Sequence, residues 1–221
     1  TITKLTNSQV VADFTNFDVT ADGSAIVFSH QNTSYTDGGT ISSAVSTGVG
    51  GVFYLDVATG IIRTLNVNPG AKISADGRWI ASTTGDSVGI IDVRGGFTSR
   101  DGDILGVADV TLHGVTNDGR AIFASTADPL GSNAAGARQI FSYDVSTGRY
   151  RQISSFSGDF SLFAISTIPI SISLDGSTLH LLTDQDILND GSQGLIQLYR
   201  LDLNDGAAER RTQYRSDQFA Q

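Results

Sequence analysis

The sequence predicts an all-β fold: a β-propeller-type array of about four four-stranded antiparallel blades. A phrase Ser/Thr-x-Asp-Gly occurs four times, as Thr20-Ala21-Asp22-Gly23, Ser74-Ala75-Asp76-Gly77, Thr116-Asn117-Asp118-Gly119 and Ser173-Leu174-Asp175-Gly176. Each copy is followed by a second landmark: Asp56-Val57-Ala58-Thr59-Gly60, Asp92-Val93-Arg94-Gly95, Asp144-Val145-Ser146-Thr147-Gly148 and Asp202-Leu203-Asn204-Asp205-Gly206. Self-similarity of about 40 to 57 residues is the range of propeller blades, and two turns per copy make four strands per copy. Composition agrees. Of 23 acidic residues only Glu209 is not Asp, of 14 basic residues only Lys4 and Lys72 are not Arg, and Met is absent. Good helix formers are scarce while turn formers abound, and no window sustains a 3.6-residue apolar period.

The elements follow from the landmarks. After each Asp-Gly comes a short β-branched or aromatic run, at 24–29, 78–83, 120–125 and 177–182, which reads as strand B. The Asp-Gly dipeptide is expected to supply the positive φ angles of a two-residue hairpin turn joining strand A to strand B. Substituting Gly77 or Gly119 should therefore cost more than changing neighbouring Arg78 or Arg120. Before the second landmark lie 52–55, 90–91, 140–143 and 198–201, strand C. After it come 61–65, 149–153 and 208–212, more polar and Arg-rich, as suits an outer strand D. The expected blades are about 17–70, 71–110, 111–160 and 161–213 of a single repeat domain over 1–221, with Thr1–Thr6 as the closing strand of a preceding or shared blade. Two arrangements stay open: the array continues in a parent protein, which the count of four favours, or the chain closes its own four-bladed ring.

Bulk chemistry narrows the function. A net charge of −9 and a pI near 4.5 argue against a nucleic-acid partner or an anionic membrane surface. The Arg210, Arg211 and Arg215 cluster is short and interrupted. No run approaches the roughly 18 apolar residues of a membrane helix, so no membrane insertion is expected. A chain that starts at Thr1 and lacks Met reads as a processed or trimmed piece. Absence of Cys excludes disulfides, thiol catalysis and Cys-based zinc sites, and is compatible with an oxidising compartment.

The motifs Ser74-Ala75-Asp76-Gly77-Arg78-Trp79-Ile80-Ala81 and Asp144-Val145-Ser146-Thr147-Gly148-Arg149-Tyr150-Arg151-Gln152-Ile153-Ser154 carry a resemblance that spans residues 17–213. They resemble the TolB-like propeller repeat family, also called PD40 or WD40-like Asp-Gly repeats. No copy has Pro before Asp-Gly, and the copy at 71–110 has a short B–C loop and a degenerate second turn, Arg94-Gly95-Gly96. The third copy, from Ser125-Thr126-Ala127-Asp128-Pro129-Leu130 to Asp144, is similar to a subgroup found in large secreted bacterial proteins. The resemblance implies a periplasmic or extracellular bacterial domain; it does not fix an activity.

Antiparallel blades place the A–B and C–D turns on one rim and the B–C connections on the other. The connections at about 29–51, 127–138 and 183–194 are long, so a ligand belongs on that rim. In the last of these loops Asp184, Asp186, Asn189 and Asp190 offer hard oxygen ligands to a possible Ca²⁺ site, although the order is not that of an EF-hand. Gly85-Asp86-Ser87-Val88-Gly89 matches the nucleophile-elbow pattern, but a strand follows it where a hydrolase needs a helix, so Ser87 is expected in a B–C hairpin turn. His30, His113 and His180 fall in different blades without metal-ligand spacing, and Trp79 reads as packing. No catalytic residue and no cofactor are assigned. The functional expectation is a non-catalytic extracytoplasmic scaffold that meets a protein or glycan through its long loops, with further blades or self-association as additional partners. The rivals are the substrate-gating propeller of a prolyl-oligopeptidase-like serine peptidase and a metal-dependent propeller hydrolase.

Overall fold

The computed structural model describes residues 14–30, 33–34, 45–46, 51–84, 87–103, 110–133, 136–156, 168–184, 186–188 and 194–212. Among these, every regular element is a strand. The expected closing strand at Thr1–Thr6 lies outside the described residues.

The first blade comprises β1 (Phe14–Val19), β2 (Ala25–His30), β5 (Gly51–Asp56) and β6 (Ile62–Leu65), with a ribbon of β3 (Thr33–Ser34) and β4 (Val45–Ser46) inside its B–C connection. The second comprises β7 (Lys72–Ile73), β8 (Trp79–Thr84), β9 (Ser87–Asp92) and β10 (Thr98–Asp103). The third comprises β11 (Thr111–Val115), β12 (Arg120–Ser125), β13 (Gln139–Asp144) and β14 (Arg149–Gln152). The fourth comprises β15 (Ile168–Ile172), β16 (Thr178–Thr183), β17 (Gln197–Asp202) and β18 (Ala208–Arg210). Each blade is a separate four-stranded antiparallel sheet in sequence order, as the two-turn repeat predicts. Strand β10, of sequence Thr-Ser-Arg-Asp-Gly-Asp, has no apolar pattern and escaped the sequence reading. Backbone pairing with β9 defines it, from Thr98 opposite Asp92 to Asp103 opposite Ser87.

The chain forms two compact units, Thr1–Asp103 and Ile104–Gln221, each holding two blades. In the first unit Ala25, Val27 and Val52 of the first blade bury against Ile73, Ile80 and Ile91 of the second. In the second unit Ile122, Ala124, Ile140 and Ile153 of the third blade bury against Leu179, Leu181, Tyr199 and Leu201 of the fourth. Strand alternation explains both: within each unit the earlier blade turns one set of alternate residues toward the later blade, which turns one set of its own back.

The first turn differs from the expected two-residue hairpin. Only its glycine has positive φ, +71° at Gly23, +72° at Gly77, +83° at Gly119 and +69° at Gly176. The glycine amide donates to the carbonyl of the Ser or Thr three residues back, for example Gly77 N to Ser74 O at 2.9 Å. These are type I turns closed by a left-handed glycine, so the loop is one or two residues longer than a two-residue hairpin. The leading Ser or Thr is the organising residue. The Ser74 hydroxyl donates to Asp76 Oδ1 at 2.7 Å and accepts the Trp79 amide at 2.9 Å. Thr20 and Ser173 make the same pair of bonds, with Ala25 N and Thr178 N both at 3.0 Å. Thr116 likewise bonds Asp118 and the Arg120 amide.

The second blade's other turn carries one extra residue. Phe97 N donates to Asp92 O at 2.9 Å, and Phe97 sits at φ +62°, the one non-glycine residue with positive φ among those described. That conformation costs about 1–2 kcal/mol. Packing offsets it: the Phe97 ring meets Tyr54 edge-on at 5.2 Å and lies 4.9 Å beneath the Arg63 guanidinium carbon, both in the first blade.

Candidate functional site

The rim that carries the two short turns is a cross-linked backbone lattice. In every blade the second turn donates to the first: Val57 N to Ser24 O, Val93 N to Arg78 O, Val145 N to Gly119 O and Leu203 N to Ser177 O, all between 2.7 and 3.1 Å. Within each unit the first turns also join from blade to blade. Ala21 N donates to Ala75 O at 3.0 Å, and at the equivalent place Asn117 Nδ2 donates to Leu174 O at 3.1 Å. Backbone groups consumed in this way are not available to a ligand.

Some carboxylates of this rim are held ionised by their turns. The Ser24 amide and hydroxyl with the Thr20 hydroxyl lower Asp22 to about 2, and the Ser173 hydroxyl with the Ser177 amide lowers Asp175 to about 2, against an ordinary 3.8. The Thr59 amide lowers Asp56, and the Asn204 amide lowers Asp202. Each group releases its proton more readily when folded, so its contribution is complete above the unfolded value and disappears as pH falls through the folded one. Thermal melts should keep a constant midpoint down to about pH 4 and lose it between about pH 4 and pH 2. The double variant Asp22→Asn/Asp175→Asn should flatten that loss; an unchanged acid slope would show that the turns do not set it.

The opposite rim carries the B–C connections. Between β12 and β13 the connection is organised by buried Asn133, whose Nδ2 donates to Thr126 O, Ala127 O and Ala137 O at 3.2, 3.0 and 2.7 Å. Its amide donates to Asp128 Oδ1 at 2.7 Å, and the Ser132 hydroxyl ties the loop to Gln152 Oε1 at 2.6 Å. An amide side chain satisfied by three carbonyls pins the loop and leaves Leu130 exposed at its tip. Between β16 and β17, Asp184 O accepts the Gly194 amide at 2.8 Å. Asp184 and Asp186 are described, whereas Asn189 and Asp190 lie outside the described residues. Among the described residues no three His, Cys, Asp or Glu side chains gather as a metal would need.

The remaining sequence candidates occupy strands. Ser87 lies at the B–C hairpin, as expected: it opens β9 and pairs with Thr84 across the two residues that separate β8 from β9, and no helix follows it among the described residues. His30 ends β2, His113 sits at a register shift of β11, and His180 lies in β16 opposite Ser171 and Arg200. Trp79 is buried with the Arg78 guanidinium carbon 4.5 Å from its ring, which closes that ring as a sugar platform. No helix among the described residues is long and apolar enough to cross a membrane.

Two sets of residues were missed by the sequence reading. Buried Gln139 and Gln197 open strand C of the last two blades and receive the exit of strand D: Gln139 Oε1 accepts the Ser154 hydroxyl at 2.7 Å and the Phe156 amide at 2.9 Å, and Gln197 Oε1 accepts the Thr212 hydroxyl at 2.8 Å. Their signal was present as the parallel phrases Gln139-Ile140-Phe141-Ser142-Tyr143-Asp144 and Gln197-Leu198-Tyr199-Arg200-Leu201-Asp202. Arg120, read from sequence as a neutral neighbour of Gly119, instead bridges two blades. It pairs with Asp118 Oδ2 at 2.9 Å and donates to Gly176 O, Leu203 O and Asn204 Oδ1 at 3.3–3.5 Å.

No protein-family model and no curated protein matches the sequence. Solved structures do. A TolB structure from Agrobacterium tumefaciens aligns with TM-score 0.56 and 15% identity over 94% of this chain and 64% of its own. The β-propeller domain of the Trilobed protease from Pyrococcus furiosus aligns with TM-score 0.56 and 13% identity over 93% of this chain and 58% of its own. The acylaminoacyl peptidase of Pyrococcus horikoshii aligns with TM-score 0.56 and 9% identity over 91% of this chain and 33% of its own. The chain therefore has β-propeller blade architecture and spans less than two thirds of the length of these structures.

Proposed function

We propose that the domain is a non-catalytic binding scaffold that meets a protein or glycan through its B–C rim, in a periplasmic or extracellular bacterial setting. The observation that carries this reading is the inequality of the rims. One is closed by its own backbone lattice, and the other presents a loop pinned by Asn133 with Leu130 exposed. Rigid scaffolds that display loops on one side are built for recognition. The cellular setting rests on the resemblance to TolB-like repeats.

The test uses immobilised protein against a glycan array and an extracellular protein fraction. Leu130→Asp, or deletion within 34–46, should weaken capture at least about tenfold, a change of about 1.4 kcal/mol. Substitutions at Ala58-Thr59 or Ser146-Thr147 on the turn rim should leave it unchanged. The opposite pattern would mean that the turn rim binds. Replacing Asp184, Asp186 and Asp190 together by Asn tests the calcium proposal in the same protein: a metal-binding loop loses a Ca²⁺-dependent rise in melting temperature.

A second reading, a substrate-gating propeller of a serine peptidase, is favoured by one observation, the structural likeness to propeller-bearing peptidases. A hydrolase domain in the same polypeptide would establish it.

A further inference from the structure

Strand B of the third blade and strand B of the fourth run into their B–C connections in the same way. Ser125 closes β12 opposite Gln139, and Thr183 closes β16 opposite Gln197. Counted from these equivalent ends, the third residue is Asp and the fifth is Leu in both, as Asp128-Pro129-Leu130 and Asp186-Ile187-Leu188. Leu130 is 48% exposed and Leu188 40%.

Each Leu stands on a fixed base. In the third blade the Gly131 amide donates to Asp128 O at 3.3 Å, Gly131 has φ +66°, and Pro129 sets the second position, so Leu130 occupies the third position of a closed β-turn. In the fourth blade the Gly194 amide closes the connection onto Asp184 O, and Ile187 packs against the core cluster that contains Ile153 of the third blade. Ser132 ties the first connection to Gln152, the residue before Ile153. Both connections are thus anchored at the junction of these two blades. An apolar side chain that is already positioned can be covered by a partner without a further ordering cost.

Acid stands beside each Leu. Residues 126–138 and 184–196 hold Asp128, Asp184, Asp186 and Asp190 against one basic residue, Arg138, whose guanidinium donates to the Thr111 hydroxyl. Asp128 is exposed, and the single amide it accepts, from Asn133, leaves its carboxylate with acceptor capacity. Neither connection contains an aromatic residue, the plane on which the C–H face of a sugar stacks.

We propose that Asp128–Leu130 and Asp186–Leu188 together form the recognition surface of the B–C rim, and that its occupant is a protein segment carrying apolar side chains beside Lys or Arg. This rests on the reading of that rim as the binding side. The two Leu side chains supply the contact that is buried, while the acids select the sign of the partner's charge and speed its approach.

The probe is a library of displayed random peptides selected on the immobilised chain in a chelating buffer, which keeps calcium out of the result. Recovered peptides should combine Lys or Arg with Leu, Ile, Phe or Trp. A synthetic peptide of that composition should bind at least about tenfold more weakly to Leu130→Ser/Leu188→Ser and to Asp128→Asn/Asp186→Asn, and added salt should weaken its binding to the parent. Asn at 128 still accepts the Asn133 amide, so the second variant removes charge and keeps the turn. Because the whole chain carries −9, Asp56→Asn/Asp202→Asn serves as the control: it removes two charges from the turn rim and should leave binding unchanged. Failure to recover any peptide, recovery without a basic bias, binding unchanged by either rim variant, or an equal loss in the control would overturn the proposal. The broader reading fails differently. A glycan or an acidic protein whose capture is lost with Leu130→Asp would keep the rim and overturn this occupant, whereas capture that survives Leu130→Asp and is lost on the turn rim would overturn both.

Discussion

Gly206→Ala should destabilise the second unit by about 2–4 kcal/mol, while the same change at Gly60 or Gly148 should cost about 1 kcal/mol. All three glycines occupy the same place in the second turn, and all have positive φ, +81°, +69° and +67° respectively. The conformational penalty for adding a Cβ is therefore common to them, about 1 kcal/mol. Surroundings separate them. A Cβ at Gly206 would run into the backbone carbonyl of Ile153, at the end of the neighbouring blade's strand D, whereas nothing described lies within 4 Å at Gly60 or Gly148. A carbonyl at the edge of a buried cluster cannot swing aside as a side-chain tip can, and Ile153 belongs to the core shared by the third and fourth blades. Denaturant melts of the three variants check it. Equal losses would show that the fourth blade does not rest on Ile153.

The second large effect is Arg120→Ala, expected to cost about 2–3 kcal/mol by loss of charge-assisted hydrogen bonds that join two blades. Its guanidinium reaches both turns of the fourth blade, through Gly176 O and through Leu203 O and Asn204 Oδ1, while Asp118 holds it from its own blade. The side chain is only 18% exposed, so water replaces little of what is lost. Lys at this position carries the charge without the planar fork, and Arg120→Lys should recover less than half of the loss. Arg149→Ala, on the exposed outer strand β14, should stay within about 0.5 kcal/mol. A double-mutant cycle between Arg120 and Asn204 should return a coupling of at least about 0.5 kcal/mol. Additive losses would reduce Arg120 to a residue of its own turn.

The turn landmarks, the four strands of the first, third and fourth blades, and the antiparallel order were all legible in the sequence, because a turn written in Ser, Thr, Asp and Gly is a local object. Its hydroxyl, carboxylate and amides sit within a few residues of one another, as Ser74, Asp76 and Trp79 do. The long B–C rim was legible for the same reason, since loop length is counted along the chain. Tertiary structure decided the rest. Strand β10 exists because β9 offers it a ladder, not because its own residues prefer a strand. Phe97 takes a left-handed conformation because Tyr54 and Arg63 of another blade reward it. Arg78 and Arg120 occupy the same place after Asp-Gly, yet only the carbonyls of the fourth blade make Arg120 a bridge. Gly60, Gly148 and Gly206 are likewise indistinguishable in sequence and differ by what a neighbouring blade places against them. Likewise Val19 and Ile73 hold one repeat position, and burial separates them only because a blade lies before Ile73. Local backbone chemistry is written within one repeat; contact between repeats is a property of two, and no single copy contains it.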